Sequence, residues 1–288
     1  MKNQHVTHLL GLTLATLFIS TSGALGKYID MPTPVIIWWR SSLGFLFIYA
    51  YCRYKKISLK IQTKRDLYTF ILSSLFLGAH WITYFYSLKL SNVALGMLSL
   101  FTFPVITALL EPLFIKIKLD PIHILLGVLV LFGIYILAPD FSLESSHLKG
   151  ILLGLLSAVF YSLRILILKQ HVVNYNGTML MLYQILIISI VLLPSLIIMD
   201  TSGIKTQYPY VLILALVTTA IGHTLFIKSL RYFKVSTASI ISSVQPIFGI
   251  IIAFFFLNEI PTWNTFFGGI IILSTVIVES IRSRRIRK

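Results

Sequence analysis

Between Leu9 and Ile281 the chain passes through ten predominantly apolar stretches, each close to the roughly 20 residues an α-helix needs to cross about 30 Å of hydrocarbon. Runs of this length leave little choice of fold. Lipid offers no partner for a backbone N–H or C=O, so a spanning segment must satisfy its own, as a helix does. The approximate limits are 9–26, 33–52, 67–88, 93–115, 122–138, 150–168, 178–199, 209–230, 235–257 and 263–281. Pro32, Pro34, Pro121, Pro139, Pro209 and Pro261 fall at these ends, where proline is tolerated in a first helical turn or stops a helix. Composition agrees: 57% of the residues are apolar and 11% charged, against roughly a quarter charged in soluble domains. The first run has a rival reading as a cleaved signal peptide ending at Ala24-Leu25-Gly26. An internal echo favours a retained span: His8-Leu9-Leu10-Gly11 reappears as His147-Leu148-Lys149-Gly150 at the start of the sixth run.

The excess of 24 Lys and Arg over 9 Asp and Glu, a net charge of +15, would by itself suit a nucleic-acid binder. Its distribution points elsewhere. With the N-terminus inside, the inner segments carry Lys2, then Arg53, Lys55, Lys56, Lys60, Lys64 and Arg65, then Lys116 and Lys118, Lys169, Arg231 and Lys234, and the tail from Arg282 to Lys288. The outer loops hold only Lys27, Lys89, Lys149 and Lys205. This asymmetry is the positive-inside pattern, so both termini are expected in the cytoplasm of a cell (inner) membrane protein, with the basic tail facing lipid headgroups and no nucleic acid as partner.

The stretch KLSNVALGMLSLFTFP from Lys89 to Pro104 matches RYFKVSTASIISSVQP from Arg231 to Pro246 without a gap. Gly127 and Gly133 in the fifth run answer Gly268 and Ser274 in the tenth. Five spans therefore repeat as five, and an odd number per repeat inverts the second half, an architecture of secondary transporters. The expected fold is all-α and integral to the membrane: ten helices in two inverted five-helix repeats, residues 1–138 and 149–288, joined by an external linker at 139–148.

The ten-span pattern, with Pro246, Asn258-Glu259 and Gly268 in order in the second half, resembles the two-domain EamA branch of the drug/metabolite transporter superfamily. The first half has Pro104 but carries Lys116-Ile117-Lys118 where that pattern has an acidic turn, and it places Glu111 after the proline instead. The arginine typical of the second span is present as Arg40, and Gln184 stands at the corresponding place in the second repeat. The resemblance implies a central polar cavity, with the fifth and tenth spans outside it.

Ionisable groups at membrane depth are costly and point to function. Arg40 and His80 both lie about 12 Å from the outer ends of their spans at 1.5 Å of rise per residue, so they are expected to be level. Gln184 and His223 take the symmetry-related depth. Tyr84, Ser99 and Ser243 complete the expected cavity, with Ser and Thr hydroxyls otherwise free to bond their own helices. Pro104 and Pro246 sit at mid-depth as expected hinges or kinks. Glu111 is expected to pair with Arg164 or Lys228, two cations otherwise placed to snorkel, or else to act in proton coupling. The single cysteine, Cys52, allows no intrachain disulfide.

The sequence has no phosphate-binding Gly-rich loop, no His-Glu-x-x-His and no cysteine–histidine cluster, so neither cofactor nor metal is expected. The leading expectation is a secondary transporter, not an enzyme, moving a small metabolite such as an amino acid, with efflux the direction the family resemblance favours. An integral-membrane transferase and a non-transporting membrane partner protein are the alternatives. The expected partners are the lipid bilayer, a small-molecule substrate with or without proton coupling, and a second copy through the glycines of the fifth and tenth spans.

Overall fold

The computed structural model describes residues 2–114, 118–138, 142, 144–168, 174–229, 232–233 and 241–286. Among the described residues all regular structure is helical. The first three helices are α1 (Lys2–Tyr28), α2 (Thr33–Tyr54) and α3 (Lys64–Leu90). Next come α4 (Val93–Leu100), α5 (Phe103–Phe114), α6 (Pro121–Leu137), α7 (Ser146–Leu168), α8 (Gly177–Leu192) and the short α9 (Ser195–Ile198). The chain continues with α10 (Ile204–Ile213), a π-helical segment (Leu214–His223), α11 (Thr224–Ser229), α12 (Gln245–Leu257) and α13 (Trp263–Ile286). Six stretches are helical, long and apolar enough to cross a membrane: Thr7–Tyr28, Thr33–Tyr54, Val93–Phe114, Ser146–Leu168, Gly177–Ile198 and Ile204–Ser229. Pro121–Leu137, Gln245–Leu257 and Trp263–Glu279 are apolar but shorter, and α3 is 27 residues long.

Local chemistry sets the starts and stops. Thr63 accepts from the Asp66 N–H to begin α3, Asn92 from Leu95 N–H to begin α4, and Asn176 from Thr178 N–H to begin α8. Asp120 and Pro121 open α6 in the same way, with proline in the first turn. Asn258 ends α12 in the left-handed region at φ 55°, where asparagine is among the few side chains tolerated.

Four expected spans are not single straight helices. The fourth breaks at Phe101 and Thr102, where Pro104 lacks an N–H and its ring excludes the carbonyl one turn back. A turn at Ser243 and Val244 precedes Pro246 in the same manner. The seventh breaks at Leu193 and Pro194, and the eighth begins early, at Ile204, and widens into π geometry. Pro139, residues 139–141 and 143 of the expected linker, Lys116, Ile117, Lys169, Arg231, Lys234, Ser236, Ser239, Arg287 and Lys288 lie outside the described residues.

In the bundle α3 packs along α7, α2 along α8, and α1 lies between the π segment and α12. Its apolar core runs through Ile36, Leu77, Trp81, Phe85, Met97 and Ile185. The fifth and tenth spans, α6 and α13, pair with each other within the chain. Their glycines make this contact: a Cβ on Gly268 would lie 2.8 Å from the Gly133 carbonyl oxygen and 3.0 Å from Leu137 N. The glycines that the sequence offered for a dimer are thus used within one protomer. His123 pairs with Glu279 at 3.2 Å, and Arg282 with Asp120, fastening one end of this helix pair.

Candidate functional site

The centre of the bundle holds a narrow cavity of about 30 Å³, room for one or two waters. Arg40 from α2, His80, Trp81 and Tyr84 from α3, Met97 from α4, Phe103 from α5, Tyr161 from α7 and His223 from the π segment line it. Ser22 of α1, and Ser242 and Gln245 beside the second helix break, complete the polar part of the wall. Neither α6 nor α13 contributes a lining residue, so both pack outside the cavity as the sequence led us to expect.

Arg40 is 1% exposed. Its Nε donates to Thr219 Oγ1 at 2.7 Å, and its guanidinium carbon lies 3.8 Å from the centre of the Trp81 ring, a cation–π contact. Nη2 is buried with no hydrogen-bond partner. No Asp or Glu lines the cavity among the described residues. A buried charge left this incompletely paired is energetically costly, which makes the spare N–H groups acceptor-seeking. Thr219 owes its place to the π segment: the widened turn buries Thr218 and Thr219 together, Thr218 meeting Thr21 of α1 at 2.9 Å while Thr219 meets Arg40. π-helical geometry inside an α-helix recurs at functional sites.

His80 is held in one tautomer. Ser157 Oγ donates to the His80 carbonyl oxygen at 2.9 Å and therefore accepts from His80 Nδ1–H at 2.7 Å, which leaves Nε2 as an acceptor. His80 also lies 4.7 Å from Tyr161, centre to centre, and Tyr161 meets Phe103 edge-on. His223 lies 5.5 Å from Trp81, and its Nδ1 is buried without a partner, while the Tyr84 hydroxyl stands beside the Ser22 side chain.

Arg40, His80, Tyr84 and His223 thus come together. The other expected cavity residues do not line it. Gln184 is behind the wall, where its Oε1 accepts from Arg164 Nη2 at 2.7 Å and its Nε2 donates to Ser73 Oγ at 3.2 Å. Ser99 packs in the α4–α7 contact, at the distance where a Cβ on Gly154 would meet it at 2.6 Å. Ser243 sits in the turn before α12. Arg164 does not snorkel: it is 2% exposed and faces inward to Gln184 and the Tyr161 ring. Lys228 lies 5.1 Å from the centre of the Tyr51 ring. Glu111 lies within electrostatic reach of Glu279. Which way each side chain turns about its helix axis differs from the expectation for Gln184, Ser99 and Arg164.

Gln245, Ser22 and Ser242 were not singled out from the sequence. For Gln245 a signal existed, a polar residue in mid-span immediately before a helix-breaking proline. Many of the other Ser and Thr hydroxyls bond their own helices, Thr16 to the Leu12 carbonyl and Ser20 to that of Thr16 among them.

At the end of the bundle where α1 meets α2, several contacts converge. Lys27 Nζ donates to the carbonyls of Lys89 and Ser91, and Lys89 Nζ to that of Met31. A Glu259 carboxylate oxygen accepts from the Val93 N–H at 2.8 Å, the first amide of α4, where the helix dipole favours an anion.

Apolar helices long enough to cross a bilayer, bundled around a buried polar interior, define a multi-pass membrane protein built to pass a solute. The sequence pattern of the EamA-like transporter family matches residues 7–138 and again 148–280, so the chain belongs to that family, within the drug/metabolite transporter superfamily, whose members are transporters and not enzymes. It is similar to the pseudopaline exporter CntI of Pseudomonas aeruginosa, 25% identical over 93% of both chains. An uncharacterized transporter of Archaeoglobus fulgidus is 22% identical over 93% of this chain and 94% of its own. The S-adenosylmethionine uptake transporter of Rickettsia prowazekii is 30% identical over 41% of this chain and 40% of its own. A solved crystal structure matches 99% of both chains with a TM-score of 0.70 at 15% identity, which establishes the fold.

Proposed function

We propose that the chain is a secondary active exporter of a small carboxylate-bearing metabolite such as an amino acid, working by alternating access around Arg40. The observation that carries this reading is the unpartnered Nη2 of a buried arginine in a cavity lined by no acidic side chain among the described residues. A planar guanidinium presents paired N–H donors that match a carboxylate, and the Trp81 face beneath it fixes its plane. In this reading His80 Nε2 and the Tyr84 and Gln245 side chains meet the polar remainder of the substrate. His223 stands by them, and Ser99, Gln184 and Ser243 support the wall from outside. Export is favoured because the exporter relative aligns over 93% of both chains, whereas the uptake relative aligns over 41% of this one.

The proposed membrane arrangement is ten spans in two inverted repeats, 1–138 and 149–288, with both termini in the cytoplasm and the Lys27–Glu259 end outside. The charge distribution and the two separate family matches support it. The breaks before Pro104 and Pro246 act as hinges, the contact of Glu259 with the start of α4 closes the outer end, and a cavity of about 30 Å³ must open to admit substrate. Glu111 is proposed to pair with a neighbouring cation, Arg164 or Lys228, or else to act in proton coupling. The test is uptake into proteoliposomes of an unbiased amino-acid and metabolite mixture, with and without a pH gradient. An amino-acid flux lost in Arg40→Ala supports the reading, and a flux indifferent to that change refutes it.

A further inference from the structure

A second cavity, of about 340 Å³, opens on the lipid-facing side between α2 and the helix that runs from the π segment into α11. It lies apart from the Arg40 site and shares no lining residue with it. Its walls are apolar, formed by Phe47, Ile48, Leu216, Ala220, Ile221 and Leu225. Lys228 stands at one end. Leu216 and Lys228 are about three helical turns apart, so an amine at a helix end continues into an apolar trough along the helix. Thr178 and Thr224 line the trough; both residues are at least nine-tenths buried and both hydroxyl oxygens lack a hydrogen-bond partner. No carboxylate pairs with Lys228 among the described residues. Exposed Arg53, Lys55 and Lys56 follow at the end of α2, so the neighbourhood is cationic.

We infer that this trough is a binding site for one anionic phospholipid of the adjoining leaflet. The phosphate sits at Lys228 with the Thr178 and Thr224 hydroxyls as donors, and one acyl chain lies along Ala220 and Leu216. Free phosphate would bind at the amine but leave the apolar trough unfilled, whereas a lipid satisfies both parts at once. Basic pockets between spans at a cytoplasmic surface hold anionic headgroups in just this manner. The inference rests on the chain being in a membrane and is independent of what the Arg40 site carries.

The experiment is native mass spectrometry of the full chain titrated with phosphatidylglycerol or phosphatidylcholine. The wild type is expected to retain phosphatidylglycerol in preference to phosphatidylcholine. Lys228→Gln is expected to weaken phosphatidylglycerol retention by about fivefold, with Lys205→Gln, at an exposed residue in the first turn of α10, unchanged. Ala220→Phe, which fills the trough and keeps the amine, should lose the lipid too, and it decides the matter if Lys228→Gln does not fold. Equal retention of the two lipids, or unaltered phosphatidylglycerol binding in both variants, overturns the site. Displacement of the lipid by inorganic phosphate alone overturns the lipid assignment in favour of a free anion. A dimer mass that disappears in Ala220→Phe overturns it in favour of a second copy of the chain.

Discussion

Arg40 Nε donates to Thr219 Oγ1 at 2.7 Å, and this bond ties the second helix of the first half to the π turn of the second half. It uses one edge of the guanidinium and leaves Nη2 unpartnered, so the arginine is positioned by one half of the molecule while remaining open to a further acceptor.

Removing that arginine should abolish recognition more than folding. A hydrogen bond to a charged group contributes about 1.5–3 kcal/mol, so Arg40→Ala is expected to lower transport about ten- to a hundredfold in proteoliposomes. Arg40→Lys should fail almost as badly, because an ammonium cannot offer the planar paired donors. A Lys variant with wild-type flux would show that only the charge matters.

Thr219 is a positioning residue. Thr219→Val keeps the shape and deletes the acceptor, which at about 1 kcal/mol per bond should raise KM roughly fivefold with little change in maximal rate. Thr219→Ser should restore KM, a recovery that a purely packing role would not give.

Glu259 caps α4 from a distant part of the chain, and Glu259→Ala should loosen the proposed outer closure. In a Cys52→Ser background, a cysteine at Ser22 is expected to be shielded from an impermeant maleimide added outside, and to label several-fold faster once Glu259 is alanine. Equal labelling in the two proteins would remove the closure role.

The α6–α13 contact should discriminate between its glycines. At Gly268 a Cβ would strike backbone, Gly133 O at 2.8 Å and Leu137 N at 3.0 Å, whereas at Gly133 the nearest atom is the Ile272 side chain at 2.8 Å. Gly268→Ala is therefore expected to cost about 1–3 kcal/mol and Gly133→Ala less, read as loss of the monodisperse protein on heating in detergent. The reverse order would contradict the packing.

The proposed orientation is checked with cysteines at exposed Lys56 and Lys205, again without Cys52. Impermeant reagent added to intact cells should label the cysteine at 205 and not the one at 56.

Much of the architecture was legible in the residues. Run length marked the apolar helices, six stretches of them long enough to cross a membrane, the prolines marked the helix breaks before Pro104 and Pro246, and the match of Lys89–Pro104 with Arg231–Pro246 agrees with the two family matches. Rise per residue placed Arg40 and His80 at one level, and both line the cavity. Rotation about each helix axis was not legible, because in an apolar segment nearly every face is compatible with lipid and neighbouring helices choose which one turns inward. That choice took Arg164 from an expected snorkelling position to a buried bond with Gln184, and drew Gln184 out of the cavity wall. It likewise matched the glycines of the fifth and tenth spans to each other. The sequence alone determined the order of the apolar runs, their two-copy pattern and the presence of an arginine within one of them. Only the tertiary structure decided what each polar group faces, since hydropathy measures transfer into the membrane and not the direction of a side chain within it.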